Sequence, residues 1–241
     1  MKKIILITIL LSSMLLSESL LSQVQKSGLI IKGKSNEKIL IQREQSPLCT
    51  KDNINPKSLF GGDFAGNKVA SVCKKTFVTK VGVLQPMKLG KGIKTVGELE
   101  VLVHIENTQK NPSDYVLIDA RTKQWFEQMT IPSSKNIPFN EINYMEESEK
   151  EDFDNDEAYK MYTKQLSKLF KVLNIKRTAK GLDFSNVKSV VFYCNGSWCS
   201  QSPNAIFKLI NMGYPKEKIL WYRGGLQDWL IYDFTVTKEN S

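Results

Sequence analysis

The second half of this chain predicts an α/β fold: a parallel sheet covered on both faces by helices, behind a small, loop-rich N-terminal extension. Three observations carry that expectation. Short apolar runs of buried-strand type recur at "YVLIDA" (residues 115–120), "SVVFY" (189–193) and "KILWY" (218–222). Stretches with helical apolar spacing lie between them. The region from about residue 23 to 91 lacks both patterns and is rich in Gly, Pro, Asn and Lys.

Taken in order, the chain opens with Lys2 and Lys3, an apolar run from Ile4 to Leu16, and Ser17-Glu18-Ser19. A basic start, a short apolar core and small residues are the layout of a secretory signal peptide, here expected over residues 1–19 with cleavage after Ser19. The apolar core of about 13 residues is short of the ~20 that a spanning helix needs. The mature chain is expected to be exported to the periplasm and to hold no membrane segment. Residues 20–91 form the extension, in which "TFVTKVGVL" is a candidate strand. Cys49 and Cys73 are the pair that sequence proximity offers for a disulfide in an oxidising compartment.

The main domain is expected over 92–237. "TVGELEVLVHIENTQ" predicts an amphipathic helix, "KNIPF" a short strand near Asn136, and the acidic stretch 146–157 a solvated entry to a helix. In that helix Tyr159, Tyr162, Leu166, Leu169, Phe170 and Leu173 share one apolar face. After the strand ending at Tyr193, Ser202 is expected to cap the next helix, with Pro203 in its first position and Gly213 as its stop. "KILWY", then Arg223-Gly224-Gly225 and a short helix through Trp229, close the domain.

The net charge of +9 comes from scattered lysines, without a nucleic-acid-binding motif, and describes a solvated basic surface with a mild attraction for small anions. His104 is the only histidine and no close Cys-x-x-Cys is present, so neither a zinc site nor another metal or cofactor is expected. His104 itself falls in an apolar helical stretch, where packing is the expected role.

The chemistry centres on "YCNGSWCS". Cys194 ends a buried strand and precedes a helix, where unpaired amides and the helix dipole favour thiolate and attract anions. Asn195, Gly196, Ser197, Trp198, Cys199 and Ser200 form the loop around it. Cys194 is therefore a candidate nucleophile, against the alternative of an inert cysteine at a strand end. No arginine closes the loop as a phosphatase clamp would require, and the cysteine spacing is not that of a thioredoxin-like pair.

"VLIDART" (116–122), "TIPSSKNIPF" (130–139), "VVFYCNGSWCSQSPNA" (190–205) and "WYRGGLQDW" (221–229) occur in the order and spacing of a rhodanese-like domain, which this chain resembles over roughly residues 92–236. The resemblance implies a five-stranded parallel sheet flanked by helices and a six-residue sulfurtransferase loop at 194–199. It implies that Cys194 carries a persulfide. Asp119 and Arg121 match the acidic and basic pair after the first core strand, and Arg223, Gly224, Gly225 and Trp229 match the closing motif. Two positions depart from the pattern. Met129-Thr130 stands where members often have Gly-His, and Cys199 stands where many thiosulfate-using members have a cation.

The expected function is sulfane-sulfur transfer from a small sulfur-containing anion or persulfide (polysulfide, thiosulfate or an organic persulfide) to a thiol or protein acceptor. The competing expectations are a thiol–disulfide redox enzyme using Cys194 and Cys199, and a non-catalytic binding module of the same fold.

Overall fold

The computed structural model describes residues 28–42, 47–48, 72, 84–144 and 150–238. The expected signal peptide, Cys49, Cys73, and nearly all of "TFVTKVGVL" lie outside the described residues.

The core sheet follows from period-two alternation in short strands. Its strands are β3 (Lys94–Val96), β4 (Tyr115–Asp119), β5 (Lys135–Asn136), β8 (Ser189–Tyr193) and β9 (Ile219–Tyr222), in the parallel order β3-β9-β8-β4-β5. This is the five-stranded parallel sheet that was expected. Val190 and Phe192 of β8 point to one face, with Val116, Ile118, Ile219 and Trp221. Val191 and Tyr193 point to the other, with Leu117 and Tyr222. Both faces are apolar because both are covered.

The first face is covered by α3 (Asp156–Leu173) and α4 (Gln201–Asn211). Asn155 caps α3, its side chain accepting from the Ala158 amide at 2.9 Å. The helix ends at Asn174 in the left-handed region. Tyr162, Leu166, Leu169 and Leu173 are buried on the predicted stripe, with Tyr159 and Phe170 packed at its edge. The second face is covered by α1 (Glu98–Lys110) and α5 (Gly225–Ile231), with Val101, Leu102, Ile105, Leu226 and Trp229 in its core. The short helix α2 (Lys123–Gln128) follows β4 and buries Phe126.

Residues upstream of the main domain join this second face. β1 (Leu29–Lys32) and β2 (Lys38–Ile41) form an antiparallel hairpin whose Leu29, Ile31 and Ile41 enter the core. Hydrogen bonds from the Thr235 amide to Gln42 O (3.1 Å) and from the Thr235 hydroxyl to Leu40 O (3.0 Å) tie the hairpin to the C-terminal tail. A second antiparallel pair, β6 (Lys176–Thr178) and β7 (Gly181–Asp183), precedes β8. Among the described residues no helix is long and apolar enough to cross a membrane.

Two helix starts depart from expectation: Thr95 and Val96, expected at the head of α1, lie in β3 beside β9, so α1 begins at Glu98. α4 begins at Gln201 with Ser200 at its cap, so Ser202 and Pro203 sit inside the first turn. Pro203 costs no hydrogen bond there, because first-turn amides have no intrahelical partner. Ser202 is completely buried. Its hydroxyl serves the site instead of the helix end.

Candidate active site

β8 is a central strand, so its carboxyl end opens between the ends of β4 and β9. Cys194 stands at that end. Its backbone is held from the far side of the loop: the Leu226 amide donates to Cys194 O at 2.9 Å and the Gln227 amide to Asn195 O at 2.8 Å. Gly225 makes this approach possible. It lies at φ +59°, and a Cβ there would fall 2.4 Å from Cys194 O. Within the loop, the Cys199 amide donates to Gly196 O at 3.0 Å, turning the chain back so that the second sulfur returns toward the first.

The two thiols are free and buried, 2% and 5% exposed. The Cys194 thiol donates toward Cys199 O at 3.5 Å, and Ser202 Oγ is 3.0 Å from Cys194 Sγ. Trp221 Nε1 donates to Ser202 Oγ at 3.1 Å, which leaves the hydroxyl proton to point at the sulfur. Asn195 Nδ2 lies 3.9 Å from Cys199 Sγ.

The two thiols shift in opposite directions. Burial pushes the Cys194 thiol well above its ordinary value and hydrogen bonding to Cys199 adds to the rise, outweighing the lowering by Ser202. Cys199 is lowered, first by the hydrogen bond from Cys194 and then, against burial, by the Gln201 and Asn195 amides. The physical reason is local. The amides that were expected to face Cys194 are divided between the two sulfurs, and the larger share reaches Cys199.

Asp119 and Arg121 come together, but as a closed pair beneath the loop. Arg121 Nη2 and Asp119 Oδ2 are 2.6 Å apart, with side chains 2% and 0% exposed. Burial would lower the guanidinium, but the carboxylate outweighs it and holds Arg121 more firmly charged, with a smaller contribution from Cys194. Asp119 Oδ2 also accepts from Thr130 Oγ1 (2.9 Å) and Tyr193 OH (3.1 Å), and Arg121 donates to Met129 O. Met129-Thr130, the first departure from the pattern, is therefore the turn that completes this network. Burial raises the Tyr193 phenol, which stays a neutral donor and acceptor.

Arg223 reaches the site indirectly. Its Nε and Nη2 donate to Gln85 O at 3.0 and 2.8 Å, while the Gln85 amide donates to Ser197 O at 2.8 Å. A segment upstream of the main domain thus straps the loop. Trp198, half-buried, donates its indole N–H to Gln227 Oε1. Gly196 is buried beneath this contact, where a Cβ would meet Gln227 Oε1 and Trp198 Nε1 at 2.9 Å. Ser200, by contrast, is exposed.

Sequence reasoning missed Ser202 as a sulfur partner, Gln227 as the partner of Trp198, and Gln85. For Ser202 a signal was present: a serine two residues before an apolar helical face serves either a helix end or a neighbouring group. Nothing local marks Gln85.

A family model described as a rhodanese-like domain matches residues 104–231. Among solved structures, the chain is similar to BH2092 protein from Bacillus halodurans at 17% identity, covering 60% of this chain and 77% of that one with a TM-score of 0.40. It is similar to a rhodanese with anions from E. coli at 21% identity, covering 47% and 88%, TM-score 0.27. A rhodanese-related protein from Thermoplasma volcanium matches at 18% identity, covering 61% and 99%, TM-score 0.33. No curated protein matches the chain.

Proposed function

Because this chain belongs to the rhodanese-like domain family, we propose that it is a sulfurtransferase that takes sulfane sulfur from a small donor as a Cys194 persulfide. The observation that carries this reading is the placement of Cys194 Sγ at the end of the central strand, 3.0 Å from Ser202 Oγ and 3.5 Å from Cys199 O.

In the proposed reaction, a donor R–S–SH enters over the loop. Cys194 attacks its outer sulfur while the Cys194 proton passes to Cys199. The donor S–S bond breaks, the departing RS⁻ takes the proton from Cys199, and Cys194–S–SH remains. The Ser202 hydroxyl and amide support negative charge on the Cys194 sulfur as it forms. Arg121 is neutralised by Asp119 and Arg223 is spent on Gln85 O, so donor charge falls to backbone amides. That favours an organic persulfide, with at most one charge on its sulfurs, over doubly charged donors such as thiosulfate.

The same proposal places the mature protein in the periplasm, on the strength of Lys2, Lys3 and the apolar run that follows. N-terminal analysis of protein from the exported fraction is expected to begin at Leu20. Incubation of the reduced protein with polysulfide, followed by intact mass spectrometry, is expected to show added sulfur that Cys194→Ser abolishes. Absence of added sulfur with polysulfide, organic persulfide and thiosulfate alike would overturn the transferase reading.

A further inference from the structure

The loop holds its second thiol closer to the sulfur being transferred than an external acceptor can easily come. Cys194 is 2% exposed, and Gln85 is bonded across the loop to Ser197. An external acceptor must reach past these groups, whereas Cys199 is already inside. The turn closed by Cys199 N–H and Gly196 O sets Cys199 O 3.5 Å from Cys194 Sγ. With ordinary backbone dimensions, Cys199 Cα then lies within about 6 Å of that sulfur. Asn195 Nδ2, 3.9 Å from Cys199 Sγ, and the first turn of α4 hold the second sulfur toward the first.

We infer that Cys199 is a catalytic residue that resolves the Cys194 persulfide, making the loop a converter of sulfane sulfur to hydrosulfide at the expense of thiols. This rests on the transferase reading above. In the step, Cys199–S⁻ attacks the inner sulfur of Cys194–S–SH. The Cys194–Cys199 disulfide forms, the bond to the outer sulfur breaks, and HS⁻ departs with the electron pair. The outer sulfur is reduced and the Cys199 sulfur oxidised, one electron each, while the Cys194 sulfur passes from persulfide to disulfide at the same oxidation level. A dithiol protein or two small thiols then reduce the disulfide and reset the loop by thiol–disulfide exchange. Once Cys194 has lost its thiol proton to persulfide formation, the Gln201 and Asn195 amides still face Cys199 and favour its thiolate.

The test uses the reduced full-length protein, loaded with inorganic polysulfide, freed of excess donor by desalting, and followed with time by intact mass and by peptide mapping after alkylation. The wild type is expected to lose its added sulfur as hydrosulfide while a Cys194–Cys199 disulfide appears, with no added reductant. Cys199→Ser and Cys199→Ala are expected to retain the Cys194 persulfide at least about tenfold longer. A wild-type persulfide that persists while Cys199 remains open to alkylation overturns the relay and leaves the transferase reading standing. That result comes from the wild type, so it does not depend on how either variant folds. Failure of wild type and variants alike to acquire sulfur overturns both.

Discussion

At the scale of single residues, the site is governed by how hydrogen bonds divide between the two sulfurs. Cys199 is lowered to about 6 chiefly by the hydrogen bond from Cys194, while burial raises Cys194. The sign follows directly. Thiolate on Cys199 is present at neutral pH and is lost as pH falls through about 6, whereas Cys194 contributes none in that window. The rate of alkylation at Cys199, followed by peptide mapping against pH, is expected to show its inflection near pH 6. In Cys194→Ala the inflection is expected to move upward toward ordinary thiols. A wild-type inflection in the ordinary thiol range of about 8.5 would remove Cys199 as the acceptor of the Cys194 proton in the proposed reaction. The cysteines themselves were plain in the sequence. That the two are unequal was legible from their placement; how the hydrogen bonds divide between them was not, because the turn at Gly196 brings the Gln201 and Asn195 donors to Cys199.

At the scale of elements, the loop is held between α4 and α5. The contact of α5 is the stricter, because its first residue approaches the backbone of Cys194, Asn195 and Gly196. In Gly225→Ala a Cβ would sit 2.4 Å from Cys194 O and 2.8 Å from Gly196 N, both backbone atoms that cannot swing aside. The left-handed conformation adds about 1–2 kcal/mol for a non-glycine residue. The expected outcome is a displaced loop, with persulfide formation slowed on the order of a hundredfold. Circular dichroism is expected to stay close to wild type, since the sheet core is untouched. Unchanged loading kinetics would show that the loop tolerates this shift. The central strands and the long helices were readable from periodicity, as "SVVFY" and the Tyr162–Leu173 stripe illustrate, whereas β3 was read as the start of α1 and α2 was not read. The start of α4 was not, because Ser200 and Ser202 are equally acceptable caps and only the position of Trp221 selects Ser202 for the sulfur.

At the scale of the whole molecule, the sheet's second face is completed by segments far apart in sequence: the β1–β2 hairpin, α1, α5 and the C-terminal tail. His104 reports on how firmly α1 is seated. Its ring packs edge-on against Tyr115 at 5.5 Å, and Nε2 donates to Val116 O at 2.8 Å. Burial lowers it to about 4, against the opposing effect of the Val116 hydrogen bond. An unfolded chain takes up a proton near the ordinary 6.5, while the folded one resists until about 4. Stability from this group is therefore full above about pH 6.5 and falls as pH drops toward 4, by at most about 3 kcal/mol. Urea denaturation between pH 7 and pH 4 is expected to show that slope, and His104→Gln, which can still donate to Val116 O, is expected to flatten it. An equal slope in both proteins would place the acid sensitivity elsewhere.

The sequence by itself determined the alternating fold, the identity of the loop and the cysteine at its base. Those depend on local periodicity and on residues adjacent in the chain. Only the tertiary structure decided how charge is divided between the two cysteines, that Ser202 serves a sulfur, that Arg121 and Arg223 are occupied by Asp119 and Gln85, and that an upstream strap crosses the loop. Each of these depends on a partner brought close by the sheet rather than by the chain. A hydrogen bond or an ion pair is set by distance in space, which spacing along the sequence does not contain.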